Sequence, residues 1–185
     1  MKNTFIAILR GINVSGHFMI RMHDLKTKLE VLGFQNITTY IQSGNIIFNY
    51  EITDQNELSG LIGNNILQNF GFNVPVIVRN VTEIKAVIEN NPFVNDRKEN
   101  IDRLHVTFFS RSPDPEMIRK ISVLNFNPDE FIVNQDHAYV FCPNGYGNTK
   151  INNQFFENKL NVTATTRNWK TVNQLVVIAN EHMFI

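Results

Sequence analysis

Apolar and polar residues follow two rhythms along this chain. Around 3–9, 37–42, 45–50 and 74–79, apolar, β-branched and aromatic residues run together or alternate between bounding Gly, Asn or Pro, which predicts four strands. Between them the spacing changes to three and four. Met22, Leu25, Leu29 and Leu32 mark one face of a helix that stops at Gly33. Leu58, Leu61, Ile62, Ile66 and Phe70 mark a second that stops at Gly71, with Asp54-x-x-Glu57 as its capping pair. The first half therefore reads β-α-β-β-α-β. A short helix over 82–90, capped by Thr82, trails it and ends at Asn91-Pro92.

The same order then recurs. A strand is expected at 103–110, a helix at 115–124 capped by Asp114, strands at 130–134 and 138–142, and a helix at 150–160. Val162-Thr163-Ala164 makes a weak last strand. A helix of about 168–183 closes the chain, with Val172, Leu175, Val176, Ala179 and Met183 as its apolar stripe. The repeat is one of element order, since no obvious residue identity links the halves. Asp96, Arg97, Lys98, Glu99, Asp102 and Arg103 are the densest charge in the chain and read as a solvated linker. The expected organisation is a first subdomain over 1–90, a linker over 91–102 and a second subdomain with the C-terminal helix over 103–185. β-α-β-β-α-β fits the split-βαβ, ferredoxin-like plan with antiparallel strand order 4-1-3-2, so the fold class is α+β, duplicated. Phe5, Ala7 and Leu9 on one strand face and Ile6 and Ile8 on the other are all apolar, which predicts sheets covered on both sides.

Composition narrows the function classes. The 185 residues are 43% apolar and 18% charged, and 17 basic residues balance 17 acidic ones, an ordinary globular make-up. Zero net charge argues against wholesale electrostatic capture of nucleic acid or of an anionic membrane. The lone Cys142 excludes an internal disulfide framework and a zinc site built on several thiolates. Lys2 and the apolar run behind it imitate a signal peptide, but Arg10 cuts that run short, and no stretch approaches the roughly 20 apolar residues of a membrane span. A cytoplasmic protein without a membrane partner is expected. Asparagine, at 27 residues, matches the codon bias of an AT-rich genome.

The candidate chemistry follows from topology. In a split-βαβ unit the end of the first strand and the turn between the second and third lie at the same edge. That edge joins Arg10-Gly11-Ile12-Asn13-Val14-Ser15-Gly16 to Gln42-Ser43-Gly44-Asn45. Ser43-Gly44-Asn45 reads first as a tight hairpin, and Gly11 and Gly16 either bend the chain or let backbone N–H groups cradle an anion. His17-Phe18 stands where a P-loop would need Lys and Ser or Thr, so that route to nucleotide hydrolysis is rejected. A third segment, Thr165 to Thr171, opens the last helix with Asn168 as cap, and Arg167 and Lys170 add charge to its N-terminus. Trp169 reads as a core anchor, with base stacking as the alternative. The five histidines show no metal spacing, Cys142 reads as a buried strand residue, and no nucleophile can be named with its base.

Three segments carry a resemblance. Leu9-Arg10-Gly11-Ile12-Asn13-Val14-Ser15-Gly16, Thr39 through Phe48, and Thr166-Arg167-Asn168-Trp169-Lys170-Thr171-Val172 closely resemble the bacterial family called domain of unknown function 1697, over nearly the whole chain. Ser15 stands where that family's loop commonly has a second glycine. The resemblance implies a duplicated ferredoxin-like α+β fold and no established activity or catalytic residue. The leading expectation is binding of a small anionic ligand, a phosphorylated metabolite or nucleotide, by Arg10, Asn13, Ser43, Asn45, Arg167 and Trp169, with no cofactor and no metal. The alternatives are an RNA-binding module and a structural or protein-interaction domain. In the last, the polar motif side chains would be buried and bonded to one another.

Overall fold

A computed structural model of the chain describes residues 3–14, 16, 18–51 and 54–182; Lys2, Ser15, His17 and Met183 lie outside them. The elements are β1 (Asn3–Leu9), α1 (Met22–Val31), β2 (Gln35–Tyr40), β3 (Asn45–Tyr50), α2 (Gln55–Phe70), β4 (Val76–Asn80) and α3 (Val81–Glu89). They continue with α4 (Pro92–Asn95), β5 (Leu104–Phe109), α5 (Pro115–Ser122), β6 (Glu130–Asn134), β7 (His137–Phe141), α6 (Asn153–Leu160), β8 (Ala164–Asn168) and α7 (Trp169–His182). Two antiparallel four-stranded sheets result, ordered β2-β3-β1-β4 and β6-β7-β5-β8. This is the expected 4-1-3-2 order, formed twice.

The chain divides into two compact units, Met1–Ala86 with Gln174–Ile185, and Val87–Asn173. The end of α7 thus belongs to the first unit, where the expected organisation put the whole C-terminal helix with the second. The reason is local bonding. His182 in the last turn of α7 bonds Thr38 of β2 through Nε2 at 2.9 Å, and its carbonyl accepts from Asn49 of β3 at 3.5 Å. The charged 91–102 stretch contains α4, leads into a 3-10 turn at Ile101–Arg103 and is tied into the second unit. Arg97 donates to Glu99 and to both carboxylate oxygens of Glu130 on β6, and its guanidinium lies 5.1 Å from the Phe93 ring.

Each unit has a core between its sheet and its two main helices. In the first, Phe5, Ala7 and Leu9 of β1 join Ile46 and Phe48 of β3 under Leu25 and Leu29 of α1 and Leu58, Ile62 and Ile66 of α2. Helix α2 is held at its start by Asp54, whose carboxylate accepts from the N–H groups of Asn56 and Glu57. In the second, Phe109, Ala138, Val140, Cys142 and Ala164 pack under Ile121 of α5 and Phe156 and Leu160 of α6. The opposite sheet face of the first unit is buried as well: Ile6, Ile8 and Ile47 are fully inaccessible and Ile77 is 2% exposed.

Two local readings are corrected. The cap of α3 is Asn80, not Thr82. Asn80 Oδ1 accepts from the Glu83 N–H at 2.9 Å while Glu83 Oε2 accepts from the Asn80 N–H at 2.8 Å, a reciprocal pair two residues earlier than expected. The last strand is Ala164–Asn168, not Val162–Ala164. Its polar residues are accommodated because β-branched threonines suit an extended backbone and β5 supplies a full ladder, with Val106 opposite Arg167 and Phe108 opposite Thr165.

The two units match residue by residue at the strand ends. The Leu9 N–H donates to Gly44 O at 2.8 Å and the Arg10 N–H to Pro75 O at 2.9 Å; the Phe109 N–H donates to Asp136 O at 2.8 Å and the Ser110 N–H to Thr163 O at 2.9 Å. Arg79 lies opposite Ile6 as Arg167 lies opposite Val106. In both places the next residue is an asparagine that caps the following helix, Asn80 to Glu83 and Asn168 to Thr171. An Arg-Asn dipeptide is therefore shared by the halves.

Candidate functional site

The loop after β1 and the turn between β2 and β3 meet at one rim of the first unit. Asn13, in the left-handed region at φ 55°, makes the join. Its amide donates to Gln42 O and to Ile20 O, both at 2.9 Å, and its Oδ1 accepts from the Ile20 N–H at 2.8 Å. One side chain thus closes the 10–20 loop on itself and fastens it to the 41–44 turn. Gly44 completes the contact from the other side, since a Cβ built there would stand 2.7 Å from Ile12 Cδ1 and 2.8 Å from Leu9 Cβ. Only a glycine lets the turn lie this close to β1.

Asn45 is fully buried and donates to Tyr40 O at 3.0 Å and to Ser43 Oγ at 3.4 Å, so its amide shapes the turn rather than facing outward. Arg10 and Ser43 are half-buried at the rim, while Gly11, Val14, Gly16, Phe18, Met19, Ile41 and Gln42 are exposed. Phe18 leans on Phe72 with ring centroids 5.2 Å apart. Ile41 combines a left-handed φ of 52° with 48% exposure, a strained backbone for a β-branched residue with little packing in return. Sequence reasoning missed it because backbone handedness at a non-glycine residue leaves no trace in composition.

Arg167 and Trp169 belong to the second unit. Arg167 is 8% exposed and donates to Thr165 Oγ1 at 3.1 Å and to Thr166 O at 2.9 Å; burial lowers its guanidinium pKa to about 10. Trp169 is 6% exposed and its carbonyl accepts from Asn173 Nδ2 at 2.8 Å, the core-anchor reading. Lys170 pairs with Asp102 at 2.8 Å on the surface. Of the six candidate residues, Arg10, Asn13, Ser43 and Asn45 are brought to one rim, with the two asparagines acting as braces. Arg79, the counterpart of Arg167, stands outside the three sequence segments; it is 7% exposed and donates to Val78 O at 2.8 Å.

The duplicated fold supplies an internal reference for this rim. Between β1 and α1 the chain spends twelve residues, 10–21, whereas the equivalent connection from β5 to α5 takes five, 110–114. The turn between β2 and β3 is four residues, 41–44, against two, 135–136, in the second unit. The shorter connections suffice to build the unit, so the longer ones are additions to it.

The family model for a protein of unknown function, DUF1697, matches residues 2–139. The chain belongs to this family. Among solved structures, the conserved bacterial protein SP0830 from Streptococcus pneumoniae is similar with a TM-score of 0.76 and 21% identity, over 97% of this chain and 99% of that one. At that identity the likeness shows a shared fold. No curated protein matches. No helix among the described residues is long and apolar enough to cross a membrane, and no group of three or more His, Cys, Asp or Glu among them could hold a metal ion.

Proposed function

We propose that this family member binds a small anionic ligand, a phosphorylated metabolite or nucleotide, at the rim formed by the 10–20 loop and the 41–44 turn. The observation that carries the reading is the elaboration of these two connections in the first unit alone, beyond what the same fold needs in the second. Their charge supports the anionic class. Residues 10–21 contain Arg10 and Arg21 and no acidic residue, and 41–44 contain none either, in a chain whose overall charge is zero. Arg10 supplies a planar fork of donors suited to a phosphate and Ser43 a hydroxyl. Val14, Met19 and Ile41 add exposed apolar surface for the rest of the ligand. Asn13 and Asn45 position these groups without touching the ligand.

Isothermal titration with inorganic phosphate, nucleoside monophosphates and sugar phosphates tests the reading. Wild type is expected to bind at least one of them with a salt-dependent affinity, and Arg10→Ala to weaken it by about tenfold or more, the usual magnitude for a charged hydrogen bond. Identical responses of the two proteins to every ligand end the proposal. The second reading, motif residues serving packing alone, is favoured by the internal hydrogen bonds of Asn13, Asn45 and Arg167 and is the outcome that such identity supports. RNA recognition on the first sheet has little support, because stacking needs an open face and Ile6, Ile8 and Ile47 are inaccessible.

A further inference from the structure

The second unit carries a groove of about 550 Å³ far along the chain from the rim residues, between the 125–129 turn and the 144–150 loop. Asn125, Asn127, Asn144 and Asn148 line it together with Asp129 and Lys150. With 27 asparagines in 185 residues, about one would be expected among the eight lining positions, so four exceed the compositional background. A side-chain amide offers two donors and an acceptor in one plane, which matches adjacent hydroxyls that each donate and accept. One carboxylate and one ammonium leave the lining neutral, too few acidic groups for a cation and no excess positive charge for an anion.

The groove also has an apolar wall and a braced frame. Phe126 and Pro128 complete the lining. The Phe126 ring is buttressed by Phe155 and Phe131, with centroids 5.2 and 6.1 Å away. The turn is closed by the Asp129 N–H to Phe126 O bond at 3.1 Å and the Asn127 N–H to Asn125 Oδ1 bond at 2.9 Å. On the facing loop the Gly145 N–H bonds Cys142 O at 2.9 Å and the Asn148 N–H bonds Gly145 O at 3.2 Å. Both walls are thus set before anything enters, which lowers the ordering cost of binding. The size lies within the roughly 300–1,000 Å³ range of small-molecule sites.

From the amide-rich neutral lining, the aromatic wall and the preset frame, we infer that this groove binds a neutral mono- or disaccharide. The saccharide presents its hydroxyls to Asn127, Asn144 and Asn148 and an apolar ring face to Phe126.

Saturation-transfer NMR on the full chain with a panel of neutral hexoses and disaccharides at millimolar concentration tests this. At least one member is expected to receive saturation and to shift backbone signals within 125–129 and 144–150. Asn127→Ala and Asn144→Ala should each weaken its binding by about threefold to tenfold, the loss of one or two neutral hydrogen bonds. Circular dichroism checks that both variants keep the fold. Arg10→Ala should leave this binding unchanged, which separates it from the anion reading of the first unit. The inference is overturned by no transfer to any saccharide of the panel, or by binding that both asparagine variants leave intact.

Discussion

Two glycines at the rim adopt the same left-handed backbone for different physical reasons, and replacing each with alanine separates those reasons. Gly11 has φ 71° and open space where a Cβ would stand; Gly44 has φ 81°, and its Cβ would meet Ile12 Cδ1 at 2.7 Å, Leu9 Cβ at 2.8 Å and Ile12 Cγ1 at 2.9 Å. Alanine at either position carries the left-handed penalty, roughly 1–2 kcal/mol. The entropy that alanine removes from the unfolded chain is the same at both and cancels in the comparison. Gly44→Ala must in addition displace its neighbours. Ile12 Cδ1 can swing, but Leu9 Cβ is fixed to β1, and the Leu9 N–H is itself bonded to Gly44 O, so withdrawing the turn gives up that bond. Overpacking of this kind costs roughly 1–3 kcal/mol, which puts Gly44→Ala at about 2–5 kcal/mol against about 1–2 for Gly11→Ala. Against a typical total of about 5–15 kcal/mol, the larger loss is readily measured. Urea unfolding followed by far-ultraviolet circular dichroism is the assay, because Trp169, the sole tryptophan, reports on the second unit. Equal midpoints for the two variants would refute the close-approach account of the turn.

Further expectations follow from the same geometry. Ile41→Asn should raise stability by about 1 kcal/mol, since asparagine tolerates the left-handed backbone and a half-exposed side chain gives up little burial; an unchanged or lower midpoint speaks against strain there. Cys142 is fully buried, and burial pushes its thiol up to about 11, so an aromatic disulfide reagent should leave it unmodified in the folded protein and label it on unfolding, whereas prompt labelling of the native chain contradicts this. His105, stacked on Tyr146, and His182 are both held below the ordinary imidazole value by burial. With folded values depressed, the unfolded chain takes up protons first. Their stabilisation is complete above the ordinary value of about 6.5 and is lost as pH falls through the folded values. Melting temperature should decline over that interval, and the double variant His105→Gln with His182→Gln should flatten the decline; an undiminished slope assigns it to other groups.

The order of elements, the α+β class and most caps are legible in this sequence because they rest on local physics. Apolar spacing distinguishes strand from helix within a few residues, and Asp54, Asp114 and Asn168 each satisfy N–H groups two or three positions ahead. The rim could be anticipated too, because β-α-β-β-α-β order dictates which chain ends share an edge. Contacts between distant residues decided the rest. The Thr165–Asn168 strand is polar, and only the ladder with β5 makes it a strand. Asn13 in a loop has the same composition signal whether it meets a ligand or bonds carbonyls 7 and 29 residues away, and only the folded chain brings Ile20 and Gln42 within reach of it. Likewise the shared Arg-Asn pair becomes visible as a repeat once β4 and β8 are aligned through their partners, since two residues carry too little information to announce a duplication without register.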